Sequence, residues 1–513
     1  MNDSAADQST ELAALCSEAL GGRRLIVASN RGPVEHRLAP SGELRTRRGS
    51  GGLATAFAPI IHELPISWVS SAMGEGDRIA SRQAGGDSIT TKLTGEDLRL
   101  RYVCPPRRVY HKFYNTFCNP MLWFLQHYMW SSPYTPSIDR AVHDAWQNGY
   151  LGVNQFFSDA IVNEAFKRDQ PVCVMIHDYH LYLVAGRIRP LLPNAFIHHF
   201  IHIPWPSNRY WELLPAYMRT SICESLCNAD IIAFQTKNDG MNFLQSCDEF
   251  VPTSEVNYTE RSVAINGHTA FVKTNPQGIN VSEVRRISES ARVQTLETLF
   301  ESFPGEQSIV RVDRAEPNKN ILRGFRAYDL LLQTHAELRE RVKFLAFLVP
   351  SRTHIRQYHR YLEEVEEVVK NINSKYGTPE WTPIHLYLEN DYLKAITGLR
   401  IYDVLLANPV IDGMNLVAKE GAVVNTKSGV LLVSESAGVY PQLSKWVLPV
   451  AAADIEGTMQ AMMRALTMTP QEKQERQALL VESIEQEDVF HWFRRQFEDM
   501  SAVMKLSNST SLG

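Results

Sequence analysis

Apolar and polar positions along the chain form two series, in which short apolar runs alternate with amphipathic segments of helical period. The first series opens at 24–29 and becomes regular from Val172, and the second starts near Gln307. This alternation predicts an α/β protein in which helices cover two doubly wound, largely parallel sheets. The runs predicted as strands are 24–29, 172–176, 195–203 and 231–234 in the first series, and 309–312, 343–349, 385–388, 402–407 and 429–433 in the second.

The length of 513 residues is too great for one compact domain and suits two large ones. We predict a polar leader at 1–22, Rossmann-like domains at 23–275 and 276–480, and a helix with a polar tail at 481–513. Two such domains that face each other across a cleft form the GT-B architecture, in which the C-terminal helix crosses back to the first domain. The predicted fold class is therefore α/β with the GT-B fold.

Polar clusters directly follow the apolar runs in both series. In open α/β sheets, ligands gather at the carboxyl ends of the strands. His177 follows one run together with an acid, a tyrosine and a second histidine, which favours a functional role over that of a single structural histidine. Arg314, Lys319 and Arg352 follow runs of the second series in the same way. We therefore expect anion-binding groups at this edge of the second sheet.

The segment 408–421, NPVIDGMNLVAKEG, follows an apolar run and opens an amphipathic one. It predicts a strand, a short loop around Asp412 and a helix that begins near Met414. Free backbone N–H groups and a partial positive charge at the helix start suit an anion such as a nucleotide diphosphate. Lys419 and Glu420 follow within two turns, where one can face a phosphate and the other a ribose. A capped αβ unit with a solvated charged face is the alternative.

Two stretches of the first series are weaker signals. The segment 45–52, RTRRGSGG, ends in a glycine pair that would let backbone amides approach a phosphate, with Arg31 also available. A flexible loop is the more common interpretation of such a segment. The aromatic residues within 110–130 are more typical of core packing, although aromatic faces can also stack on sugars.

Composition excludes several classes of partner. The formal charge of −5 gives no general attraction to nucleic acid or acidic membranes. The seven cysteines form no paired framework and are expected to be reduced thiols. No apolar run could span a membrane and the first residues do not resemble a signal peptide, so we expect a cytoplasmic protein. No metal or cofactor is predicted, because no Asp-X-Asp motif follows a strand.

The motifs taken together resemble those of the trehalose-6-phosphate synthase family, retaining glycosyltransferases of family 20 with the GT-B fold. The matching motifs are SNRGP, SGGLATA, FYNTFCNPMLW, IHDYHL, HIPWP, FQTKND and DGMNLVAKE, of which the last is highly specific. The resemblance implies that glucose is transferred from UDP- or GDP-glucose to glucose 6-phosphate without a cofactor. It leaves a homo-oligomer open, since family members often form dimers or tetramers.

The resemblance also implies roles for individual residues. Arg314 and Lys319 would hold the donor diphosphate, His177 and Asp412 the transferred glucose, and Glu420 the ribose. The attack would be front-face, so catalysis would depend on these cations and on positioning. The other donor contacts would be Gly51, Gly52, Gly413, Met414, Asn415, Leu416 and Val417, and the acceptor contacts would be Arg31, Tyr114, Trp123, Asn148 and Arg352.

The chain departs from the family pattern at three places. The segment Trp146–Tyr150 is WQNGY where the family often has WDGY, so an extra residue is present and Asn148 replaces an acid. Asp144 could serve in its place only if the loop is rearranged. The residues at 315–318 also differ, and Ile411 stands where an arginine is usual. These changes leave the acceptor and the donor base open.

Three hypotheses follow for the function. The first is a synthase that forms trehalose 6-phosphate. The second is a related transferase or pseudo-glycosyltransferase with another phosphorylated acceptor, such as a glycerol phosphate or a cyclitol phosphate. The third is a catalytically silent sugar-phosphate sensor, which the retained cations disfavour. In each case the expected partners are a nucleotide sugar and a sugar phosphate.

Overall fold

The chain folds into two compact units, each built on a parallel sheet. The structure, a computed structural model, describes residues 11–12, 14–49, 53, 56–57, 61, 64–93, 96–131 and 134–510. One unit comprises the chain up to Pro276 and from Phe490 onward, and the other comprises Gln277–Val489. In the described ranges, no helix combines the length and the apolar character that a membrane crossing requires.

The first unit contains twelve strands among its described residues. They are β1 (Arg24–Ser29), β2 (Val34–Leu38), β3 (Leu44–Arg48), β4 (Ile66–Ser71), β5 (Ile89–Leu93), β6 (Glu96–Val103), β7 (Val172–His177), β8 (Phe196–Ile201), β9 (Ile231–Phe234), β10 (Glu255–Asn257), β11 (Ser262–Ile265) and β12 (His268–Thr274). Strands β2 and β3 pair as a separate antiparallel hairpin. The other ten form one sheet in the order β10-β11-β12-β9-β8-β7-β1-β4-β6-β5.

The middle of this sheet has the strand order of a doubly wound fold. From β6 to β9 the order in space is β6-β4-β1-β7-β8-β9, and all these strands are parallel. This is the 3-2-1-4-5-6 order, whose topological switch point lies between β1 and β7. The inner strands are buried along their whole length and largely apolar, because helices cover both faces of a parallel sheet.

The helices of the first unit include two π-helical stretches. These are Lys112–Trp123 and the single widened turn Trp146–Tyr150. The last helix packs on this unit from Phe490 onward, where Trp492 meets the Phe200 ring edge-on at 5.3 Å and donates to the Asn275 carbonyl at 3.1 Å. The α-helices are Glu75–Gln83, Arg107–His111, Phe124–Gln126, Arg140–Ala145, Leu151–Ala165, Val184–Ile188, Asn208–Trp211, Ala216–Leu226, Lys237–Phe250 and Val489–Thr510, and Tyr179–Leu181 is a 3₁₀ turn.

The second unit repeats the same strand order in an all-parallel sheet. Its strands are β13 (Gln307–Ala315), β14 (Val342–Pro350), β15 (Ile384–Leu388), β16 (Val404–Ala407), β17 (Val430–Ser434) and β18 (Leu448–Val450). They lie in the order β15-β14-β13-β16-β17-β18, so the switch point is between β13 and β16. The helices are Val281–Ser288, Ala291–Glu301, Ile321–Thr334, Arg356–Tyr376, Tyr392–Ile401, Leu416–Val424, Tyr440–Leu443, Ile455–Thr467 and Pro470–Gln486, with 3₁₀ turns at Pro317–Lys319 and Ala336–Leu338.

Successive residues of one strand serve two hydrophobic cores in the second unit. In β16, Val404 and Leu406 enter the core on one face, and Leu405 and Ala407 enter the core on the other. A strand buried on both faces needs a continuous apolar run rather than an alternating one. This requirement explains why the sequence shows an apolar run at 402–407, where β16 lies.

The predicted α/β fold class is confirmed, and the predicted bounds hold to within a few residues. Strands β1 and β9 have the bounds predicted for them. Strand β13 continues to Ala315, so Arg314 lies within the strand rather than after it. The helix predicted near Met414 begins at Leu416, because Asn415 adopts a left-handed backbone and caps it.

Candidate active site

The switch point of the second sheet brings three predicted donor residues together. Strands β13 and β16 are parallel neighbours, so their carboxyl ends meet at one edge. Strand β13 carries Arg314 and leads into the turn Pro317–Lys319, and β16 leads into the loop that holds Asp412. Two cations and a carboxylate therefore lie where an open α/β sheet binds its ligand.

Lys319 is held between two carboxylates. Its Nζ lies 2.6 Å from Asp412 Oδ2 and 4.0 Å from Asp313 Oδ1, and the side chain is largely buried. Burial lowers the pKa of Lys319, but the two carboxylates outweigh it and raise the pKa above the usual value. The ammonium group is therefore charged, and a bound anion would compete with Asp412 for it.

A buried arginine behind this site was missed from the sequence. The guanidinium of Arg311 is inaccessible to solvent and donates to Asp313 Oδ2 at 2.9 Å. It also donates to the Lys319 carbonyl at 2.7 Å and to Asn408 Oδ1 at 2.6 Å. Arg311 thus ties the turn after β13 to the start of the loop after β16. No local signal marks it, because an arginine within a strand pattern ordinarily indicates a solvent-facing position.

The loop after β16 is shaped by two close backbone contacts. The Gly438 N–H donates to the Asp412 carbonyl at 2.9 Å. A Cβ atom on Gly438 would lie only 1.8 Å from the Gly413 carbonyl oxygen, so this position requires glycine. The carbonyl of Met414 accepts from the Val439 N–H at 2.8 Å. Gly438 and Val439, which follow β17, therefore fix the backbone of the predicted donor loop.

Asn415 connects this loop to the helix Leu416–Val424. Its φ of 92° is left-handed, a conformation that asparagine tolerates better than most residues. Its Oδ1 accepts from the Ala418 N–H at 3.1 Å, and its Nδ2 donates to Asp412 Oδ2 at 3.3 Å. Leu416 and Val417 are in the first helical turn, where backbone N–H groups have no partner within the helix. An anion-ready helix start is therefore present beside Asp412.

The two charged residues of this helix differ in their surroundings. Burial raises the pKa of Glu420 to about 7, and the Tyr392 hydroxyl donates to its Oε1 at 3.3 Å. Lys419 is inaccessible to solvent, and its Nζ donates to the Gln277 carbonyl at 2.8 Å. Burial lowers the pKa of Lys419 to about 8. The interpretation of Lys419 as a residue that faces a phosphate is wrong, because its only cationic atom is committed to the backbone.

Arg352, predicted for the acceptor, belongs to the second unit. Its Nη1 lies 2.8 Å from Glu316 Oε1 and donates to the Tyr358 hydroxyl at 3.0 Å. Its backbone φ of 49° is left-handed. Glu316 Oε1 also lies 3.0 Å from Arg314 Nη1, so the structure brings Arg352 close to the donor cations. The other predicted acceptor residues belong to the first unit.

The first sheet contains buried neutral histidines, of which His177 lies at the switch point. His177 is the last residue of β7, and its Nδ1 lies 3.1 Å from His202 Nε2. Burial and the neighbouring His202 keep the pKa of His177 well below its usual value. Burial likewise lowers the pKa values of His198 and His199 to about 3. The phenyl ring of Phe57 meets the imidazole of His177 edge-on at 5.4 Å.

Tyr114 belongs to a stack of rings at this edge. Its ring is parallel to those of Tyr110 and His180, with centroids 5.7 and 5.9 Å away. The Tyr110 hydroxyl donates to Asn30 Oδ1 at 3.2 Å, which connects the stack to the chain after β1. Arg31 follows there with an exposed side chain. These contacts bring Arg31 and Tyr114 into one neighbourhood.

Trp123 lies nine residues after Tyr114 in the π-helical stretch. Residues nine apart fall on opposite faces of an α-helix, and the wider π-helical turn moves them towards the same face. Trp123 is nonetheless almost inaccessible, and its ring stacks on His127 at 4.1 Å. Core packing is thus part of its role.

The altered segment Trp146–Tyr150 forms a π-helical turn that absorbs an extra residue without a loop. As a result, Asn148 Nδ2 donates to Asp144 Oδ1 at 2.7 Å. The other oxygen of Asp144 lies 2.6 Å from Lys112 Nζ. The hydrogen bond from Lys112 is the largest cause that lowers the pKa of Asp144. An acid is therefore present beside Asn148, and no loop rearrangement is needed to bring it there.

Two predicted donor residues, Gly51 and Gly52, lie outside the described residues. Across the described ranges, histidine, cysteine and carboxylate side chains form no group of three that could hold a metal ion. The seven cysteines are free thiols.

Comparisons with known proteins extend over nearly the whole chain. The family model described as glycosyltransferase family 20 matches residues 23–502. The alpha,alpha-trehalose-phosphate synthase (UDP-forming) A of Dictyostelium discoideum is 30% identical over 477 residues, which cover 91% of this chain and 61% of that protein. The validamine 7-phosphate valienyltransferase of Streptomyces hygroscopicus is 27% identical and is covered over 95% of its length, with 94% of this chain.

Solved structures agree with the sequence comparisons. The E. coli trehalose-6-phosphate protein bound with UDP-2-fluoro glucose superposes with a TM-score of 0.78 at 27% identity. The match covers 93% of this chain and 99% of that one. The GT-B fold predicted from the sequence is confirmed by this likeness. This chain spans the E. coli chain almost completely but only about three fifths of the Dictyostelium protein.

Proposed function

Because this chain belongs to glycosyltransferase family 20, we propose that it transfers glucose from UDP- or GDP-glucose to glucose 6-phosphate, forming trehalose 6-phosphate with retention at the anomeric carbon. The observation that carries the proposal is the contact between Lys319 and Asp412 beside Arg314 at a switch point. A site for a nucleotide sugar needs cations for the diphosphate and a carboxylate for the sugar hydroxyls, and this edge has both.

The donor half follows from charge. As the bond to the anomeric carbon breaks, negative charge develops on the diphosphate, and preorganised cations and backbone amides stabilise it. Arg314, Lys319 and the N–H groups of Leu416 and Val417 are suited to this task. Asp412 would pass from Lys319 to a glucose hydroxyl when the donor binds, and the Glu420 carboxylate would accept hydrogen bonds from the ribose.

The reaction needs no carboxylate nucleophile if it proceeds by front-face attack. The leaving phosphate oxygen then takes the proton of the acceptor hydroxyl while that hydroxyl bonds to the anomeric carbon. His177 has the surroundings of a group that binds a neutral sugar, because its low pKa keeps the imidazole uncharged. Much of the rate would come from positioning two bound substrates.

For the acceptor, one observation favours a second candidate. The relative from Streptomyces hygroscopicus is a valienyltransferase that acts on validamine 7-phosphate, and it matches along nearly its whole length. The paired Asn148 and Asp144 offer an amide and an acid to the acceptor, where the family pattern has an acid alone. A cyclitol phosphate acceptor is therefore the second candidate.

The decisive experiment is a matrix of donors and acceptors. Purified protein is incubated with UDP-, GDP- or ADP-glucose and with glucose 6-phosphate, glycerol 3-phosphate or a cyclitol phosphate, and released nucleoside diphosphate is measured. We expect release with glucose 6-phosphate and one preferred donor. Release only with the cyclitol phosphate would support the second candidate. Donor binding by calorimetry without turnover in any combination would support a sensor and contradict both.

A further inference from the structure

A buried carboxylate lies between two arginines that the family resemblance assigns to different substrates. Glu316 is inaccessible to solvent, and its Oε1 accepts from Ser351 Oγ and from Arg352 Nη1, each at 2.8 Å. The same oxygen lies 3.0 Å from Arg314 Nη1. Its Oε2 is buried and has no hydrogen-bond partner among the described residues. One oxygen atom therefore carries all three contacts.

The backbone of Glu316 also positions the third cation of the site. Its N–H donates to the Arg314 carbonyl at 2.7 Å, and its carbonyl accepts from the Lys319 N–H at 3.0 Å. Glu316 is the residue that caps the 3₁₀ turn Pro317–Lys319. The side chain and the backbone of Glu316 thus contact Arg314, Lys319 and Arg352, the three cations of this edge that we assign to phosphates.

Glu316 is ionised under all ordinary conditions. Burial raises its pKa, but Arg314 and Arg352 outweigh this effect and lower the pKa to about 2. The backbone of Arg352 is left-handed, a conformation that costs free energy in a residue with a side chain. Arg352 contacts Glu316 from this strained conformation. The Tyr358 hydroxyl accepts from the same Nη1 of Arg352 at 3.0 Å, and the Tyr358 ring lies 5.3 Å from the guanidinium carbon.

We propose that Glu316 is a positioning residue that couples the donor-diphosphate site to the acceptor-phosphate site by sharing one oxygen between Arg314 and Arg352. This inference rests on the proposed function. When Arg352 turns to a phosphate, or is removed, the carboxylate charge falls on Arg314 alone and neutralises it more fully. The two phosphates therefore weaken each other's binding, and the coupling is reciprocal.

The test is a double-mutant cycle measured by calorimetry with UDP and GDP, in the absence of any acceptor. The proteins are the parent chain, Arg352→Ala, Glu316→Gln and the double variant. We expect Arg352→Ala to weaken binding of the preferred nucleoside diphosphate about fivefold in the parent background. In the Glu316→Gln background the same substitution should leave the affinity unchanged, because the shared carboxylate charge is already absent.

A direct electrostatic effect of Arg352 makes the opposite prediction. The loss of a nearby positive charge would weaken binding equally in both backgrounds, and that result would overturn the inference while leaving the proposed function intact. No binding of either nucleoside diphosphate by the parent chain would overturn the proposed function, and this inference with it. The two failures are therefore distinguishable.

Controls separate coupling from loss of structure. Thermal unfolding is measured for every variant, and Glu306→Gln, which alters an exposed carboxylate paired with Arg341, should leave the nucleotide affinity unchanged. If Glu316→Gln does not fold, Glu316→Asp replaces it in the cycle. The shorter side chain keeps the charge but cannot reach both guanidinium groups, so the effect of Arg352→Ala should again disappear. Its persistence at full size would contradict the inference.

Discussion

The two units have the same strand order but place opposite chemistry at their switch points. In the second unit the edge between β13 and β16 holds buried charges that are paired, such as Lys319 with Asp412 and Arg311 with Asp313. In the first unit the edge between β1 and β7 holds His177, which burial keeps neutral, together with stacked aromatic rings, and β8 beside it carries two more neutral histidines. Strand order therefore determines where a ligand can bind, and the residues after each strand determine which ligand.

The difference between the two edges matches what the diphosphate and the sugar parts of the proposed substrates require. A diphosphate leaving group needs fixed positive charge, which survives burial only when carboxylates balance it before the ligand arrives. A sugar offers hydroxyl groups and C–H faces, which neutral imidazoles and aromatic rings can contact without a large desolvation cost. The same fold can thus hold an anion site at one edge and a sugar site at the other, if charged groups line the first and neutral rings line the second.

The largest expected effect comes from removing charge at the second edge. We expect Lys319→Ala to lower kcat/KM at least about a hundredfold, because one preorganised donor to the leaving group is lost. The variant also leaves Asp412 without its cation, which adds like-charge repulsion to the diphosphate. Steady-state kinetics with the preferred donor and acceptor provide the measurement.

Lys375→Ala is the matched control for this substitution. Lys375 pairs with Asp329 at 2.9 Å on an exposed surface of the same unit, so its loss should change kcat/KM less than about twofold. Unfolding curves in urea show whether Lys319→Ala is folded. A folded Lys319→Ala variant with near-normal activity would mean that the second edge does not stabilise the leaving group.

Most of the fold could be predicted because buried parallel strands leave continuous apolar runs. Strands β1 and β9 were predicted to the residue, since helices on both faces demand such runs. The π-helical turn at Trp146–Tyr150 could not be predicted, because an inserted residue can equally lengthen a loop. Its consequence, the contact between Asn148 and Asp144, was missed for the same reason.

The candidate site could be predicted where polar residues follow an apolar run in the sequence, and it could not be predicted where the role of a residue depends on contacts that the sequence does not show. Arg314 and Lys319 stood out because polar residues directly followed an apolar run. Arg311 and Glu316 did not, since their importance lies in contacts with residues distant along the chain or with a second cation. The orientation of the Lys419 side chain could not be predicted from the sequence either. A shift of one position along a helix decides whether a side chain faces a ligand or, as here, the Gln277 carbonyl.

The second prediction concerns the stability of the first unit in acid, because burial keeps histidines of its sheet neutral. The pKa values of His198 and His199 are about 3 in the folded chain against 6.5 when unfolded, so the unfolded chain takes up protons first as the pH falls. Stability should therefore decline below pH 6.5, by about 1.4 kcal/mol per group for each pH unit. Asp239, whose pKa burial raises to about 6, offsets part of this loss.

The second unit should lose less stability in the same pH window, because burial raises the pKa of Glu420 to about 7, and protonation of Glu420 offsets the loss from His385, whose pKa burial lowers. Glu316 contributes stability that is lost only as the pH falls below 4.5 towards its folded pKa of about 2. Urea unfolding with pulsed hydrogen exchange at pH 7.5 and 5 would show which unit opens first. His198→Leu should remove about a third of the pH dependence that His177, His198 and His199 cause, whereas His359→Gln, at an exposed histidine, should not change it. If both units lost stability equally between pH 7.5 and 5, the contrast drawn between the neutral histidines of the first unit and the paired charges of the second would be contradicted.

A smaller effect concerns the pH dependence of donor binding at the second edge. Burial raises the pKa of Glu420 to about 7, so the carboxylate becomes protonated as the pH falls from 8 to 6. A neutral carboxyl is the weaker acceptor for ribose hydroxyls by about 1 kcal/mol, which corresponds to about a fivefold weaker affinity for the nucleotide. Calorimetry with the preferred nucleoside diphosphate measures it. Glu420→Gln should bind weakly at every pH, and a retained pH dependence in that variant would assign it to another group.

The smallest expected effect lies at the first edge, where Asn148 holds Asp144 in a solvent-exposed hydrogen bond. We expect Asn148→Ala to raise the KM for the acceptor about threefold, since one neutral hydrogen bond at such a site contributes about 0.6 kcal/mol. The donor KM and kcat should stay unchanged, because the substitution adds and removes no charge. Gln147→Ala, at the exposed neighbouring position, is the control. If Asn148→Ala changed the donor KM instead, the assignment of Asn148 to the acceptor would be wrong.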